Sequence, residues 1–318
     1  MSAKRSIPIR KGKSFTHTLK SRAASRHIGL SMKVLKPRRS GGWLAALTIF
    51  ACAFCAGSVS AKQLRPKTLS AFDQYIHSRE TAMNQDLGAG KSFLWIDSLP
   101  TPERERAYAN LKQGEILAQR FQKNGQESLS IPGGLIHDWV GIVFIPDISL
   151  HQAISMLQDY DHDADYYNPQ VVKSRVVEHD GNNYKIFLRL KRVQILTVVL
   201  DTDYDVHFTS LDATHAISNS YSTRIVEVEN AGEPREAYKP EGDDHGFLWR
   251  LDTYWRFYQA DGGVYVQCNA ISLTRDVPIG LAWLIRPIIQ NIPGESVRFT
   301  LDATRKALEK RTAFNAHQ

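Results

Sequence analysis

The stretch from Trp249 to Leu273 constrains this chain most. Two runs of alternating apolar and polar residues meet at Asp261-Gly262, a pair suited to a two-residue hairpin because both positions tolerate positive φ. With Ala260 and Gly263 flanking the turn, Phe257 falls opposite Val266 and Trp255 opposite Cys268, while Arg256 opposes Gln267 and Tyr254 opposes Asn269. Both runs agree on one apolar and one polar face, as in an antiparallel sheet covered on one side. Trp249, Leu251, Thr253, Trp255 and Phe257 share the apolar face. They either fill a solid core or line a cavity for an apolar ligand, and the alternation fits both.

Upstream, Leu135–Ile145 reads as a strand ending at Pro146, and Asp147-Ile148-Ser149 then caps a helix with Ala153, Ile154 and Leu157 on its apolar side. The acidic run Asp159–Asp165 ends that helix. Strands are expected near Val171–Glu178, Tyr184–Leu200, Tyr204–Leu211, Ser220–Glu229, Gly246–Tyr258 and Val264–Leu273, with a further turn signal at Asp180-Gly181-Asn182. A helical region starts around Ile279, and after Ile292-Pro293-Gly294 a long C-terminal helix over 293–310 carries Val297, Leu301, Thr304 and Leu308 on its inner side. Before the first strand, Ser70–Leu87 has helical spacing through Phe72, Tyr75 and Ile76. A second helix opens at Thr101-Pro102-Glu103 and carries Ala107 and Leu111; Gly114–Phe121 either continues it or forms a strand, before a turn at Asn124-Gly125.

The passage SMLQDYDHDADYYNPQVVKSRVVEHDG and the terminal IPGESVRFTLDATRKALEKR resemble the helix-to-strand passage and gripping helix of the START-like, polyketide-cyclase and aromatic-allergen superfamily. The resemblance covers roughly residues 131–310. It implies an α+β helix-grip fold, a curved antiparallel β-sheet wrapped around a long C-terminal α-helix, here with an additional N-terminal, mostly helical segment. The expected division is a leader over 1–61, that segment over 62–130, the helix-grip domain over 131–312 and a tail over 313–318. The family binds lipids, sterols, quinones or aromatic polyketides, and a minority of its members are enzymes.

On that reading the candidate cavity residues are His137, Trp139, Arg224, Trp249, Leu251, Trp255 and Phe257. Alternation over Ser220–Glu229 places Arg224 with Ser222, Val226 and Val228, pointing inward, where a guanidinium needs a protein carboxylate or an anionic ligand group as partner. His137 and Trp139 share one side of the first strand, with wall and filling both open.

Charge separates the chain in two. Twelve of the 40 Lys and Arg, and none of the 33 Asp and Glu, lie before Lys62, so the remainder has a net charge of −5. The basicity belongs to the leader, which removes the electrostatic case for nucleic acid. Trp43–Ala56 has the length of a signal-peptide apolar core, preceded by Lys33, Lys36, Arg38 and Arg39 and followed by Val59-Ser60-Ala61. Cleavage after Ala61 and a periplasmic or secreted protein are expected. An uncleaved anchor is the alternative, and a start at Met32 would give the leader ordinary proportions, leaving 1–31 as an untranslated extension.

Other chemistry is sparse. Gly90-Lys91-Ser92 would need a glycine at Gln85 to end a phosphate-binding loop. Asp159, Asp161, Asp163 and Asp165 imitate calcium-loop spacing, but Ala164 and Gln170 stand where glycine and glutamate are required. No HExxH or GxSxG occurs, and the nine histidines after Ala61 show no zinc-ligand spacing. Cys268, the one cysteine beyond the leader, reads as a small buried hydrophobe. Neither metal nor cofactor is expected. The first reading is therefore an exported carrier for a hydrophobic or amphipathic small molecule, with transient membrane contact compatible. The alternatives are an aromatase/cyclase-type cavity enzyme, with His137 as acid or base, and an interaction module whose core is filled by its own side chains.

Overall fold

A computed structural model describes residues 66–88, 92–121, 129–193, 197–240, 243–276 and 282–315, with backbone alone over 282–290 and 314–315. The leader with its cleavage site, Gly90-Lys91, Asn124-Gly125 and the helix start near Ile279 lie outside the described residues. The chain forms α1 (Pro66–Gly88), a 3-10 turn (Trp95–Ser98), α2 (Thr101–Lys112), β1 (Leu117–Arg120), β2 (Leu129–Ile131) and β3 (Gly134–Pro146). There follow α3 (Leu150–Leu157), the one-turn α4 (Asp163–Tyr166), β4 (Val171–Asp180), β5 (Asn183–Val193), β6 (Thr197–Ser210) and β7 (His215–Glu229). The chain closes with β8 (Ala237–Tyr238), β9 (Arg250–Ala260), β10 (Gly263–Arg275) and α5 (Ala282–Asn315). No helix among the described residues is long and apolar enough to cross a membrane.

The strands pair antiparallel in the order β1-β3-β10-β9-β7-β6-β5-β4, with β2 on β3 and β8 on β7. The β9–β10 register is the expected one, Phe257 to Val266 and Trp255 to Cys268, with Asp261 and Gly262 both at positive φ in the turn. Ser149 caps α3 through the Gln152 backbone N–H, and the Gln152 side chain accepts from the Ser149 N–H in return.

Helix α5 crosses the inner face of this curved sheet, where Val297, Leu301, Ala303, Ala307 and Leu308 join Val143, Ile145, Val264, Val266 and Phe257 in the main core. This is the α+β helix-grip arrangement that the START-like resemblance implies. Two glycines allow the grip. A Cβ on Gly141 would stand 2.6 Å from Val297 Cγ1 and 2.7 Å from Leu301 Cδ1, and one on Gly294 would strike the Trp139 ring.

Three expectations need correction, and one open alternative is decided. Tyr184–Leu200 is two strands: the chain reverses between the paired residues Val193 and Thr197, within an apolar stretch that has no Gly, Pro, Asn or Asp to signal a turn. The next expected strand is the second half of β6. Gly114–Phe121 takes the strand alternative, because α2 stops at Lys112 and Gly114 adopts φ +88°. The boundary between 130 and 131 falls inside β2, and β1 joins the main sheet, so the N-terminal segment is part of the domain.

The third correction concerns the polar face, which is not left to solvent. Phe72 and Met83 of α1 pack on Ile136, Tyr254, Ile271 and Leu273. Leu94, Ile96, Ala107 and Leu111 pack on Ile142, Phe144 and Tyr265. Polar residues there are buried because the N-terminal segment satisfies them. Arg256 donates to the carbonyls of Phe93 and Met83, and Gln267 accepts the Trp95 N–H.

Leu301→Asp places a charge under the grip and is expected to cost about 3–5 kcal/mol. Val177→Ser, at a residue 57% exposed, should stay within about 0.5 kcal/mol. Urea denaturation of both variants checks this. Wild-type stability in Leu301→Asp would show that α5 does not close the core.

Candidate functional site

The inner sheet face divides along α5. Toward the helix C-terminus it is solid, and Phe257, wholly buried, belongs there. Toward Gly294 and beyond, the register brings a different set together. His137 pairs with Ser272 and Trp139 with Ala270, Ala270 with Thr253, and Ser218 with Trp255. Trp139, Leu251, Trp255, Ala270, Leu188 and Leu190 are only half-buried here; Ser220, Ser222 and Ser272 share inward register positions with them, the Ser222 hydroxyl accepting the Leu251 N–H and donating to Asp252. This half is apolar with polar points, the composition of a small-molecule site.

His137 is 1% exposed. Its Nε2 lies 3.0 Å from Thr274 Oγ1, while Nδ1 is buried and has no partner among the described residues. Burial first, and then the charge of Arg120, push its pKa down to about 4, so the imidazole is neutral at pH 7. Two residues on, the Trp139 indole lies beneath Gly294, and its Nε1 is likewise buried and unpartnered. Adjacent inward positions of β3 thus carry two buried ring nitrogens without a partner among the described residues.

Arg224 is not in that space. A bulge opposes Asp203 to Arg224 but Tyr204 to Ser222, so Thr223 is an extra residue and the alternation along β7 flips. Ser222 stays on the inner face and Arg224 turns to the other. There its guanidinium lies 3.2 Å from the Asp203 carboxylate and 4.7 Å over the Tyr238 ring. Nearby, Arg189 binds Asp201 at 2.6 and 2.9 Å and Glu236 at 2.8 and 3.1 Å, and the Tyr238 hydroxyl donates to Asp201. These bonds tie the segment carrying Glu236 and β8 to the sheet. The partner of Arg224 is a protein carboxylate.

Trp249 also leaves the set. It precedes β9, where strand alternation has not begun, and packs on the outer face in the Phe72 cluster, its indole N–H donating to Asp244. His137, Trp139, Leu251 and Trp255 remain together. The inner-facing serines were missed, although Ser218, Ser220 and Ser222 repeat at the period of a strand. Arg120 gave no signal, since four residues of β1 are too few for a pattern.

The acidic run is absorbed locally. Against its partial burial, hydrogen bonds from Tyr166 and His162 and the Arg311 charge hold the Asp159 carboxyl below its ordinary range. Asp161 accepts the Val176 N–H. Among the described residues no group of three His, Cys, Asp or Glu could hold a metal. Burial pushes the Cys268 thiol up to about 12, which leaves it unreactive.

Solved structures similar to the chain include a STAR-related lipid transfer protein from Xanthomonas axonopodis, 15% identical, covering 60% of this chain and 98% of that one at a TM-score of 0.40. Human STARD10 is 12% identical, with 70% and 86% covered and a TM-score of 0.38. The Zhui aromatase/cyclase from a Streptomyces species is 14% identical, with 56% and 96% covered and a TM-score of 0.38. No family model matches the chain, and no curated protein does.

His137 predicts a pH dependence. Its folded pKa lies below the ordinary 6.5, so the native state favours neutral imidazole. The stabilisation is complete above 6.5 and is lost as pH falls toward 4, on the order of 2 kcal/mol between pH 7 and 5. Asp252, raised to about 6 chiefly by burial, acts in the opposite sense, losing stability as pH rises from its ordinary value through 6. Comparing wild type with His137→Gln by urea denaturation at pH 7 and 5 isolates the histidine. The variant should lose less stability than wild type on acidification, and identical losses would place a charged His137 in the fold.

Proposed function

We propose that this domain binds a hydrophobic or amphipathic small molecule against the open half of its inner sheet face, and that the protein is exported and acts as a carrier. The unmatched His137 Nδ1 and Trp139 Nε1 on an apolar, half-buried face carry this reading. An unpaired buried polar group costs about 1–3 kcal/mol. A ligand oxygen bonded to these nitrogens would recover that cost, while its apolar body covers Leu251 and Trp255. The Thr274 hydroxyl donates to the Arg275 carbonyl and accepts from His137 Nε2–H, which leaves Nδ1 of the neutral imidazole an acceptor beside the Trp139 Nε1–H donor. A ligand hydroxyl, which both donates and accepts, suits the pair. Export rests on the basic, acid-free leader with its apolar core, and transient contact with a membrane fits a carrier that loads and unloads there.

The second reading, a cavity enzyme of aromatase/cyclase type, draws on the same residue, since a neutral imidazole in an apolar setting can move a proton. Chemical change in a bound ligand recovered after incubation would favour it over carriage.

Ala270→Phe tests the binding reading. In an open site the added ring occupies ligand space, so folding stability should hold within about 1 kcal/mol while affinity for a fluorescent sterol or fatty acid drops at least tenfold. In a filled core the ring costs about 1–3 kcal/mol, and wild type shows no saturable binding across a lipid panel. Native mass spectrometry with organic extraction gives an independent readout. The exported form is expected to begin at Lys62, which N-terminal sequencing of the periplasmic or secreted fraction checks; a membrane-bound product retaining Trp43 would contradict it.

A further inference from the structure

One row of inward positions crosses the open half of the sheet in register. Trp139 on β3 pairs with Ala270 on β10, Ala270 with Thr253 on β9, and Thr253 with Ser220 on β7. Alternation puts all four on the inner face, since their neighbours Asp138, Ile271, Tyr254 and Tyr221 make the contacts of the outer one. The row has polar ends and an apolar middle. At the β3 end are the buried, unpartnered Trp139 Nε1 and His137 Nδ1, with Ser272, 5% exposed, in register beside His137. At the β7 end are the hydroxyls of Ser220, 9% exposed, and half-buried Thr253. Neither of these hydroxyls, nor that of Ser272, has a hydrogen-bond partner among the described residues. Ser222, by contrast, is occupied by the Leu251 N–H and Asp252. Between the two ends Ala270 puts only a methyl group on the face, and Leu251 and Trp255 stand two residues to either side of Thr253. A hydroxyl shut away without a partner is costly where alanine or valine would pack freely. Polar groups at both ends of one apolar row therefore point to a partner from outside the chain.

We propose that the site takes an elongated, rigid, uncharged molecule with an oxygen function at each end, lying across the strands over Ala270. A hydroxyl at one end meets Trp139 Nε1 and His137 Nδ1, and a hydroxyl or carbonyl at the other meets Ser220 and Thr253. The proposal rests on the binding reading above and adds the second polar group of the ligand, its spacing and its direction on the sheet. Neighbouring strands lie about 4.8 Å apart, so the two ends of the row are about 10–14 Å apart along the sheet. No ionisable side chain stands in the row, and a charged end would lose its hydration there without a counter-charge. A skeleton that already holds its oxygens this far apart gives up little freedom on binding, whereas a single-headed acyl chain would leave the β7 end unpaired.

The test uses the purified protein and four probes: androstanediol, with a hydroxyl at each end of a rigid ring system, the two androstanols that lack one or the other hydroxyl, and oleate. Affinities are measured by tryptophan fluorescence or calorimetry, with thermal melting to confirm that each variant is folded. Wild type should bind the diol at least tenfold tighter than either androstanol, because a site built to pair a hydroxyl rejects the analogue lacking it. That preference should not change with salt. Ser220→Ala/Thr253→Val removes both hydroxyls at nearly constant volume and should bring the diol to the affinity of the androstanols. If the diol binds no tighter than the androstanols, or only oleate binds, the two-ended assignment falls and the binding reading stands. If the preference for the diol survives in Ser220→Ala/Thr253→Val, its second oxygen docks elsewhere and the assignment to this row is overturned. If none of the probes binds folded wild type, both readings fail.

Discussion

Much of the molecule depends on one close approach, that of α5 to β3 where neither can carry a side chain. Gly141 offers backbone to Val297 and Leu301, and Gly294 offers backbone to the Trp139 ring. The contact fixes both the height and the position of the helix over the sheet. On the C-terminal side of it the core closes, with Val143, Ile145, Phe257 and Leu301 in mutual contact. On the other side the sheet face keeps half-buried apolar residues and unmatched ring nitrogens. Because interiors pack to crystalline density, a methyl group at either glycine would have to move the helix, and the open half would change shape with it.

The outer face is held by a different kind of contact. Arg79 Nε and the Tyr75 hydroxyl both donate to Asp138 Oδ2, at 2.7 and 2.8 Å. Burial nevertheless leaves the Asp138 pKa raised, because those partners only partly offset desolvation. Tyr221 and Tyr254 both donate to Glu80. Replacing such a buried pair with apolar residues is often neutral for stability, so the network is poorly described as reinforcement. It gives α1 a specific register on the sheet, since Tyr75, Arg79 and Glu80 meet their partners in one docking alone. The N-terminal segment is thereby matched to the strands that carry the site from behind: Asp138 stands between His137 and Trp139.

Sequence and structure agree where a pattern repeats over a whole element and part where one residue breaks it. The β9–β10 hairpin was legible in full because its turn demands positive φ and both strands alternate throughout. The grip was legible because Val297, Leu301 and Leu308 recur at helical spacing. Arg224 was misplaced by a single extra residue, Thr223, since a bulge reverses every later inward assignment and leaves no mark in composition. Trp249 was misplaced because alternation was extended past the start of its strand. The reversal between Val193 and Thr197 carries no turn residue to betray it.

Charge on the two faces of the sheet has its own logic. On the inner face the polar ring is the neutral His137 imidazole, kept so by the lack of water around it and by the nearby Arg120 charge. A neutral ring inside tolerates an apolar ligand at small cost, whereas a buried cation there would demand a counter-charge from every molecule that entered. Arg224, with Asp203 at 3.2 Å and most of a tyrosine ring beneath it, already has its counter-charge and lies on the far side of the sheet. A ligand on the inner face therefore does not meet the Arg224 guanidinium.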